Sequence, residues 1–569
     1  MSDGAEQFSP ARRWSATARW LWPLVAAAAL FTLLNAFKPL VIDDTAYYFF
    51  ARQVSEAPGD PYGFEIFWGD RPAPAMSVLA PSLLPYWLGL GIAVVGDNPF
   101  LWKLWMFPFA LILTLSVSYL GRMAAPGQER WILCLVLFSP ALLPAFNLML
   151  DVPALALAVG AVSLFWKSIE GNRPGLMLAA GFAAGLAMQT KYTGVVAPIL
   201  ILILAILHRR WLWGILAGLL ASMLFLSWEF FLLYRYGASH FLTALSGHPA
   251  LNAREPPILW GLWLLTLVGG VGFPIATYLL SGSRRSSWLA TASVALTVCA
   301  FWTASRVSLP PGPVTDVGEA PAAFLIYALL GGVLVATFGI SLRTRFTGHT
   351  LGEWSGEDRR YDLFLASWLV VEIVLFFVLS PFPAARRVVG LCLVLTLIAA
   401  RVLAGAQGAA SKPQRVARMG VCWGVFCGLM FYAVDLSDAR AQRRSVENVQ
   451  KWIQAQPESG TVWFVGHWGF QFYAQGWGMK PVIPGSSSLA EGDWLVVPEG
   501  IARQAVQLDA QRLSQVALIE ERSRLPWSSL PAFYAGPFPL AKQNSPHIRV
   551  RVFQVRTGHI PARLRQIGS

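Results

Sequence analysis

Apolar runs long enough to cross a lipid bilayer recur along most of this chain, and no other feature restricts its fold as strongly. About 20 residues of α-helix cross the hydrocarbon core of a membrane, which is about 30 Å thick. With a window of that length, apolar segments are centred near residues 28, 110, 140, 160, 182, 200, 222, 268, 296, 332, 371, 395 and 426. The hydropathy therefore predicts a polytopic α-helical membrane protein with about thirteen transmembrane helices.

The composition excludes a soluble globular protein. Hydrophobic residues make up 55% of the 569 residues and charged residues only 13%, whereas soluble domains carry about 25% charged residues. The net charge of +13 does not predict a nucleic-acid partner, because most lysines and arginines fall in short loops, where cytoplasmic retention of positive charge explains them. The five cysteines lie inside apolar segments without metal-ligand spacing, which argues against a disulfide framework or a structural zinc site.

The segment 77–96, "SVLAPSLLPYWLGLGIAVVG", leaves the topology open. Its two prolines suit a re-entrant or membrane-skimming helix about as well as a full crossing. If the segment does not cross, the basic loops all fall on one side, which must then be the cytoplasm. We therefore expect a cytoplasmic N-terminus, an extracytoplasmic C-terminus and a multi-pass protein of a bacterial inner membrane.

The chain changes character near residue 436. Short strand-like runs such as "TVWFVGHWGFQFYAQ" and "IRVRVFQVR" alternate with glycine, proline and charged residues. We expect two domains, a transmembrane domain over 1–435 with a first outer loop at about 38–100, and a soluble extracytoplasmic α/β domain over 436–569.

Two acidic sites fall on the same predicted outer face. Asp43 and Asp44 follow the first span in "VIDDTAYYFFARQV", and Asp151 lies in the tight hairpin "NLMLDVPALAL". Carboxylates at membrane depth cost several kcal/mol unless they line a wet cavity or meet a partner, so they mark candidate functional sites. A structural alternative stays open for each, since all three stand where a helix N-cap is expected.

These residues resemble the GT-C membrane glycosyltransferases, in particular the branch of the protein O-mannosyltransferases and the lipid A aminoarabinose transferase. That branch has an acidic pair followed by a tyrosine, a further acidic residue in the second outer loop, and a Gly-Leu-Ala…Thr-Lys stretch. The resemblance covers about residues 20–235, and the matching positions are Asp43, Asp44, Tyr47, Leu150, Asp151, Gly185, Leu186, Ala187, Thr190 and Lys191.

The resemblance implies an integral-membrane glycosyltransferase that moves a sugar from a polyprenyl-phosphate-linked donor to a protein, lipid or glycan acceptor on the extracytoplasmic face. Such a reaction needs a carboxylate to take the proton of an acceptor hydroxyl. We expect Asp43 to be this base, with Asp44 as the alternate. Asp151 is expected to orient the acceptor or, together with Asp44, to hold Mg²⁺ or Mn²⁺, and whether an ion is needed stays open.

The leaving lipid phosphate needs cations to stabilise its negative charge. We expect Lys191 in "TKYTG" and the pair Arg386 and Arg387 in "SPFPAARRVVGL" to bind it, with Tyr47 nearby. The alternative for Lys191 is an ammonium that only extends to the membrane interface. The family often has Arg-Tyr where this chain has Arg386 and Arg387.

Two other functions fit a polytopic protein of this kind. A lipid or glycan transporter or flippase would show symmetric repeats, and no clear repeat is found. A surface-polysaccharide polymerase or ligase would carry its large outer domain between late spans, whereas here it is terminal. No motif for a soluble nucleotide substrate is present in the sequence.

Overall fold

The computed structural model describes residues 10–78, 81–246, 256–280, 287–307, 321–347, 356–406, 413–457, 460–530 and 532–564. Most of these residues are helical. The helices of the first half are α1 Pro10–Ala36, α2 Asp44–Glu56, α3 Leu83–Val95, α4 Pro99–Trp105, α5 Phe107–Ala124, α6 Glu129–Leu137, α7 Leu142–Ala145, α8 Asp151–Gly171, α9 Pro174–Thr190 and α10 Val196–Leu207. Those of the second half are α11 Trp211–Tyr236, α12 His240–Ser246, α13 Pro257–Leu280, α14 Ser287–Ala304, α15 Pro321–Thr347, α16 Gly356–Leu379, α17 Val389–Ala406, α18 Pro413–Gln454, α19 Trp468–Gly476 and α20 Ala532–Ala535.

The helices confirm the predicted class, a polytopic helical membrane protein with a strand-rich C-terminal region. Within the described residues, eight helical segments are long and apolar enough to cross a membrane, and four shorter apolar helices accompany them. The count of thirteen spans stays a prediction. One predicted span, centred near residue 140, lies at a break between α6 and α7, where Pro140 has no backbone N–H to continue a helix.

The segment 77–96 contains α3, which has only 13 residues. At 1.5 Å per residue such a helix is about 20 Å long, shorter than the hydrocarbon core. Its length suits a helix that skims or enters the membrane better than one that crosses it.

Two interruptions of the helical bundle have the same form. Lys191 is extended (φ −158°, ψ 140°) and a 3-10 turn, Tyr192–Val195, leads into α10. Ala384 is likewise extended (φ −160°, ψ 144°) and a 3-10 turn, Ala385–Val388, leads into α17. Irregular backbone at membrane depth is tolerated where it lines a cavity or is buried in protein, so both breaks point to one site.

The strands lie mainly in the C-terminal region. They are β1 Glu65–Phe67, β2 Pro72–Pro74, β3 Val462–Phe464, β4 Lys480–Pro481, β5 Ser488–Leu489, β6 Trp494–Glu499, β7 Val506–Gln507, β8 Leu513–Glu521, β9 Trp527–Ser528, β10 Ala541–Lys542, β11 Ile548–Val555, β12 Ile560–Pro561 and β13 Arg563–Leu564. A five-stranded mixed sheet has the order β4-β3-β6-β11-β8, with β3 parallel to β4 and β6 and β11 antiparallel to β6 and β8. Short two-stranded pairs join β1 to β2, β9 to β10, β5 to β12 and β7 to β13.

Alternation along β11 explains how the sheet packs. Val550 and Val552 are buried while Arg549 and Arg551 are partly exposed, because successive strand side chains point to opposite faces. The buried valines join a small core with Val446 and other residues of α18.

Helix α18 connects the bundle to the sheet. It contains 42 residues, about 63 Å at 1.5 Å per residue, and runs without a break through the expected boundary between 435 and 436. The division into a transmembrane domain and a separate C-terminal domain therefore stays a prediction.

The first loop packs directly on the C-terminal region. Gln471 of α19 donates its Nε2–H to the Phe67 carbonyl at 2.8 Å. The Tyr473 hydroxyl accepts the Leu40 backbone N–H at 2.8 Å. The start of α2 is thus held between the bundle and α19.

Candidate active site at the end of the helical bundle

One guanidinium joins the two predicted acidic sites. Arg386 Nη1 lies 2.8 Å from Asp43 Oδ2 and 3.5 Å from Asp151 Oδ2. The side chain of Arg386 is 11% exposed, and the break before α17 places it between α2 and α8. Residues far apart in the sequence therefore form one cluster.

Lys191 binds the other side of Asp151. Its Nζ lies 2.6 Å from Asp151 Oδ1, and the Asp151 side chain is only 3% exposed. Asp151 begins α8 but caps no backbone N–H, since Leu150 occupies the N-cap position and no side-chain cap bond forms there. Asp151 therefore contacts two cations, Lys191 and Arg386, and the N-cap alternative does not describe these contacts.

Asp43 is the most accessible of the three predicted carboxylates. Its side chain is 25% exposed, and although Asp43 stands at the N-cap of α2, it makes no side-chain cap bond. A substrate can therefore reach Asp43 once Arg386 is drawn to another anion.

The backbone just before Asp43 is strained. Ile42 has a φ of 49°, in the left-handed region that β-branched residues rarely adopt. Such a conformation costs about 1–3 kcal/mol and is often found at functional sites. The strained turn lies where the chain enters α2 and the two neighbouring aspartates take separate partners.

Asp44 is buried, with no exposed surface. Its carboxylate lies 3.2 Å from Lys103 Nζ and accepts the backbone N–H groups of Leu148 at 2.9 Å and Val41 at 3.3 Å. Burial raises the pKa of Asp44, an effect that the nearby lysines oppose. These contacts tie α2 to α4 and to the loop before α8, and they favour Asp43 over Asp44 as the base.

Tyr47 lies one turn after Asp43 and is buried, at 4% exposure. Burial raises its pKa well above the ordinary value, and the neighbouring carboxylate of Asp43 adds to the effect. Its phenol is therefore neutral at physiological pH and available as a hydrogen-bond donor beside the cluster.

Arg387 follows Arg386 in the same 3-10 turn but has no carboxylate partner. Within the described parts of the chain it makes no ion pair, and its guanidinium lies 4.3 Å from the centre of the Phe382 ring. Its Nε has no hydrogen-bond acceptor, and the same holds for Nε of Arg386. A buried unsatisfied donor on a charged group is costly, so these two arginines are suited to receive an anion.

A cleft lies beside Asp151, Lys191 and the two arginines. It encloses about 590 Å³, counted with its open mouth, and its polar lining includes Asp151, Lys191, Glu372, Arg386 and Arg387. Leucine, alanine and phenylalanine side chains of α8 and α16 form an apolar wall, and residues of the two 3-10 turns and of the starts of α10 and α17 complete the lining. A cationic end beside an apolar wall fits an amphipathic anion such as a lipid phosphate.

Sequence reasoning did not select Glu372. It is an isolated acid in the apolar run "ASWLVVEIVLFFVLS" of α16, and its carboxylate accepts the Trp368 Nε1–H at 3.0 Å. A Cβ on Gly390 would lie 2.5 Å from its Oε1, so the Glu372 carboxylate packs directly against the backbone of α17. The rule that an acid at membrane depth marks a functional site would have found it.

Tyr534 was also missed, because it comes from the distant C-terminal region. Its hydroxyl lies 3.0 Å from both carboxylate oxygens of Asp435 and accepts the Asn147 Nδ2–H at 3.0 Å. Its ring centre is 5.9 Å from Cζ of Arg386, within cation–π range. Asp435 also binds Lys38 of the first loop, and Lys38 donates to the Pro144 carbonyl at 2.8 Å.

The residues named for a metal do not suit a divalent cation as they are placed. The carboxylate oxygens of Asp44 already bind Lys103 and two backbone N–H groups. Those of Asp151 already bind Lys191 and Arg386. Nowhere in the described residues do three or more His, Cys, Asp or Glu side chains come together in a metal-binding group. The expectation of Mg²⁺ or Mn²⁺ stays a prediction.

No protein-family model and no curated protein matches the chain. Among solved structures, it is similar to the oligosaccharyltransferase of Archaeoglobus fulgidus in complex with Zn and sulfate, at 12% identity and a TM-score of 0.44, over 80% of this chain and 62% of the other. It is similar to ArnT from Cupriavidus metallidurans bound to undecaprenyl phosphate, at 15% identity and a TM-score of 0.41, over 84% and 93% of the two chains.

A third similar structure is the arabinosyltransferase EmbB from Mycobacterium smegmatis, at 14% identity and a TM-score of 0.33, over 94% of this chain and 47% of the other. The chain thus spans less than two thirds of the archaeal enzyme and of EmbB. All three proteins are GT-C fold glycosyltransferases, the group that the sequence motifs resemble. With every TM-score below 0.5, the activity of this chain has to be argued from its own residues.

Proposed function

We propose that this protein is an integral-membrane glycosyltransferase that moves a sugar from a polyprenyl-phosphate-linked donor to an acceptor on the extracytoplasmic face of a bacterial inner membrane. The observation that carries the proposal is the cleft in which Lys191, Arg386 and Arg387 converge beside Asp43, with an apolar wall on one side. A lipid-linked sugar phosphate needs these same features. The acceptor is a protein, a lipid or a glycan.

The cations bind the donor phosphate. Arg386 and Arg387 have buried Nε–H groups without acceptors, and guanidinium forks match phosphate oxygens. Lys191 adds a point charge held in place by Asp151 at 2.6 Å. The apolar wall accommodates the first part of the polyprenyl chain.

Donor binding also frees the base. Before the donor arrives, Asp43 is paired with Arg386 at 2.8 Å, so the guanidinium stands where an acceptor hydroxyl would approach the carboxylate. When phosphate draws Arg386 toward the cleft, Asp43 is released from this ion pair and faces the acceptor. Catalytic competence is thus linked to an occupied donor site.

The transfer step balances with these residues alone. Asp43 takes the proton of the acceptor hydroxyl as that oxygen bonds to the anomeric carbon. The bond from this carbon to the phosphate oxygen breaks, and its electron pair stays on the lipid phosphate. Lys191, Arg386 and Arg387 stabilise the charge that builds on that leaving group.

The test is transfer from a panel of radiolabelled polyprenyl-phosphate sugars by purified wild type, Asp43→Asn, Asp44→Asn and Asp151→Asn. We expect Asp43→Asn to bind donor yet lose transfer by about 10² or more, the size typical of a general base. Asp509→Asn is the matched control, since Asp509 is 46% exposed and caps a surface turn in a way that asparagine also can.

Two results would contradict the proposal. One is wild-type protein that turns over no donor of the panel. The other is full activity in all three variants of the cluster. A flippase, which also fits the broken segments at Lys191 and Ala384, would move the lipid-linked sugar across vesicles without breaking the sugar–phosphate bond.

A further inference from the structure

A second cavity lies beyond Asp43, between the C-terminal half of α2, β1 and α19. It encloses about 630 Å³, counted with its open mouth. We call it the α2–α19 groove. Its aromatic lining residues are Phe49, Phe64 and Phe67, and its polar ones include Arg52, Gln53, Glu56 and Gln475.

The lining of the groove suits a sugar. Aromatic rings offer flat apolar faces for the C–H face of a pyranose or furanose. Amides, carboxylates and a guanidinium offer several donors and acceptors for hydroxyl groups at its edge. With Glu56 and Glu65 against the single cation Arg52, the groove does not favour a phosphate or another anion.

Two distant parts of the chain form the walls of the groove. Gln471 of α19 binds the Phe67 carbonyl at 2.8 Å, and the ring of Phe472 meets that of Tyr48 on α2 edge to face, with centres 5.1 Å apart. These contacts position Gln475, one turn after Gln471, across the groove from α2. The C-terminal region thereby completes a wall that the bundle lacks.

The position of the groove relative to Asp43 is set by α2. Phe49 and Glu56 come six and thirteen residues after Asp43, which corresponds to about 9 and 20 Å along the helix axis. Arg386, one of the cations assigned to the donor phosphate, contacts Asp43 at the opposite end of the same helix. Asp43 therefore lies between the proposed donor site and a groove that can hold a second substrate along α2.

We propose that the α2–α19 groove binds the acceptor and that this acceptor is a saccharide, held by its sugar units while one hydroxyl reaches Asp43. The proposal rests on the proposed glycosyltransferase function and names its acceptor class. The saccharide is either a free glycan or the glycan part of a lipid, since both present the same rings and hydroxyls.

The experiment begins with direct binding, which does not require turnover. Full-length protein in detergent is applied to arrays of soluble bacterial envelope oligosaccharides, and to vesicles of phosphatidylethanolamine and phosphatidylglycerol with or without lipid-linked oligosaccharide. We compare wild type with the double variant Arg52→Ala/Glu56→Ala and with Gln475→Ala. Arg52 and Glu56 form an i,i+4 pair with side chains 60% and 63% exposed, so their loss should not unfold the protein.

The chain provides a matched control for the double variant. Arg443 and Glu447 form another i,i+4 pair on α18, with side chains 55% and 31% exposed, and neither residue lines the groove. We expect Arg52→Ala/Glu56→Ala and Gln475→Ala each to weaken glycan binding about tenfold, equivalent to about 1.4 kcal/mol, and Arg443→Ala/Glu447→Ala to change it less than twofold. With a bound glycan as acceptor, the groove variants should raise its KM about tenfold and leave the donor KM unchanged.

The outcomes separate the two proposals. Glycan binding that needs the groove residues, without any donor turnover, supports the groove and overturns the glycosyltransferase. Transfer by wild type with an unchanged acceptor KM in both groove variants supports the enzyme and overturns the groove. Equal binding to vesicles with and without lipid-linked oligosaccharide, with no binding to the arrays, also overturns the saccharide proposal. Binding to the arrays or only to the oligosaccharide-bearing vesicles tells free glycans from lipid-linked ones.

Discussion

At the residue scale, the candidate site depends on Arg386. This one side chain contacts Asp43, Asp151 and the ring of Tyr534, and these residues come from three distant parts of the chain. A lysine has a single ammonium in place of the planar fork and cannot reproduce that set of contacts.

Replacement of Arg386 by alanine and by lysine should therefore distinguish the effect of its positive charge from the effect of its planar guanidinium. We expect Arg386→Ala to reduce kcat/KM for the donor by about 10² to 10³, as loss of one preorganised donor to a developing anion does. Arg386→Lys should fall between the alanine variant and wild type. Steady-state transfer assays measure this, with Arg443→Ala on α18, 55% exposed, as a control. Activity within twofold of wild type in Arg386→Ala would refute the role.

A second residue-scale prediction concerns pH and stability. His240 at the start of α12 is buried, and its Nδ1 lies 2.7 Å from the Tyr192 hydroxyl. Burial lowers the pKa of His240 to about 4, below the ordinary value of about 6.5. Between these two pH values the unfolded chain binds more protons than the folded chain. The contribution of His240 to the free energy of unfolding is therefore complete above about pH 6.5 and decreases as the pH drops toward 4.

Thermal unfolding in detergent between pH 4 and 7.5 checks this linkage. We expect the Tm of wild type to fall more steeply below pH 6.5 than that of His240→Gln. His559→Gln is the matched control, because His559 is exposed, and its profile should follow wild type. Parallel profiles for wild type and His240→Gln would show that His240 does not contribute to the acid sensitivity.

At the element scale, the break between α9 and α10 is what brings Lys191 to Asp151. Gly194 lies in its 3-10 turn, and a Cβ there would sit 2.3 Å from the Ala187 carbonyl. Real Cβ atoms do not approach a backbone this closely, so α9 and the turn must separate if the glycine is replaced. Hydropathy predicts both helices but not the break, because an extended residue between two apolar segments leaves the average hydropathy almost unchanged.

Gly194→Ala should therefore damage the site through the backbone. We expect a lower Tm and a donor KM raised about tenfold or more, since a displacement near 1 Å at a binding group has effects of this order. Gly218→Ala on α11 is the matched control, as nothing lies within 4 Å of its added Cβ and alanine is the better helix former. An equal donor KM in Gly194→Ala and wild type would mean that the turn relaxes without moving Lys191.

At the scale of the whole molecule, the sequence predicts the bundle better than the site. Twelve of the thirteen predicted centres fall within helices, because burial in lipid forces apolar runs of this length to satisfy their backbone internally. Asp43, Asp151 and Lys191 are recognisable from local motifs. Tyr534 and the groove residue Gln475 are not, because their positions depend on how α18 and the sheet pack against the first loop.

That packing runs through a buried polar network centred on Asp435. Lys38, Ser529 and Tyr534 all bind its carboxylate, and all three are buried. Four backbone and side-chain groups of Ser528, Ser529 and Leu530 donate to the neighbouring Asp438, which also pairs with His547 at 2.8 Å. Buried hydrogen-bonded networks of this kind favour one arrangement of the parts that they join, here the first loop, α18 and the C-terminal region.

Tyr534 lies where this network meets the candidate site, and two substitutions distinguish its contributions. Tyr534→Phe keeps the ring beside Arg386 but removes the hydroxyl shared by Asp435 and Asn147. We expect it to lower stability by about 1–3 kcal/mol and to change donor kcat/KM only a few-fold. Tyr534→Ala also removes the ring, so Arg386 loses its support and donor kcat/KM should fall at least tenfold further.

Thermal unfolding and transfer assays on the same preparations test this pair, with Tyr234→Phe as control because Tyr234 is 91% exposed. A structural role alone would lower Tm in both variants and leave the donor KM of the folded protein unchanged. A positioning role makes the donor KM rise in Tyr534→Ala and not in Tyr534→Phe. The second pattern would mean that the C-terminal region acts on donor binding through one aromatic side chain, so that a GT-C-like bundle without this region would hold Arg386 in the wrong place.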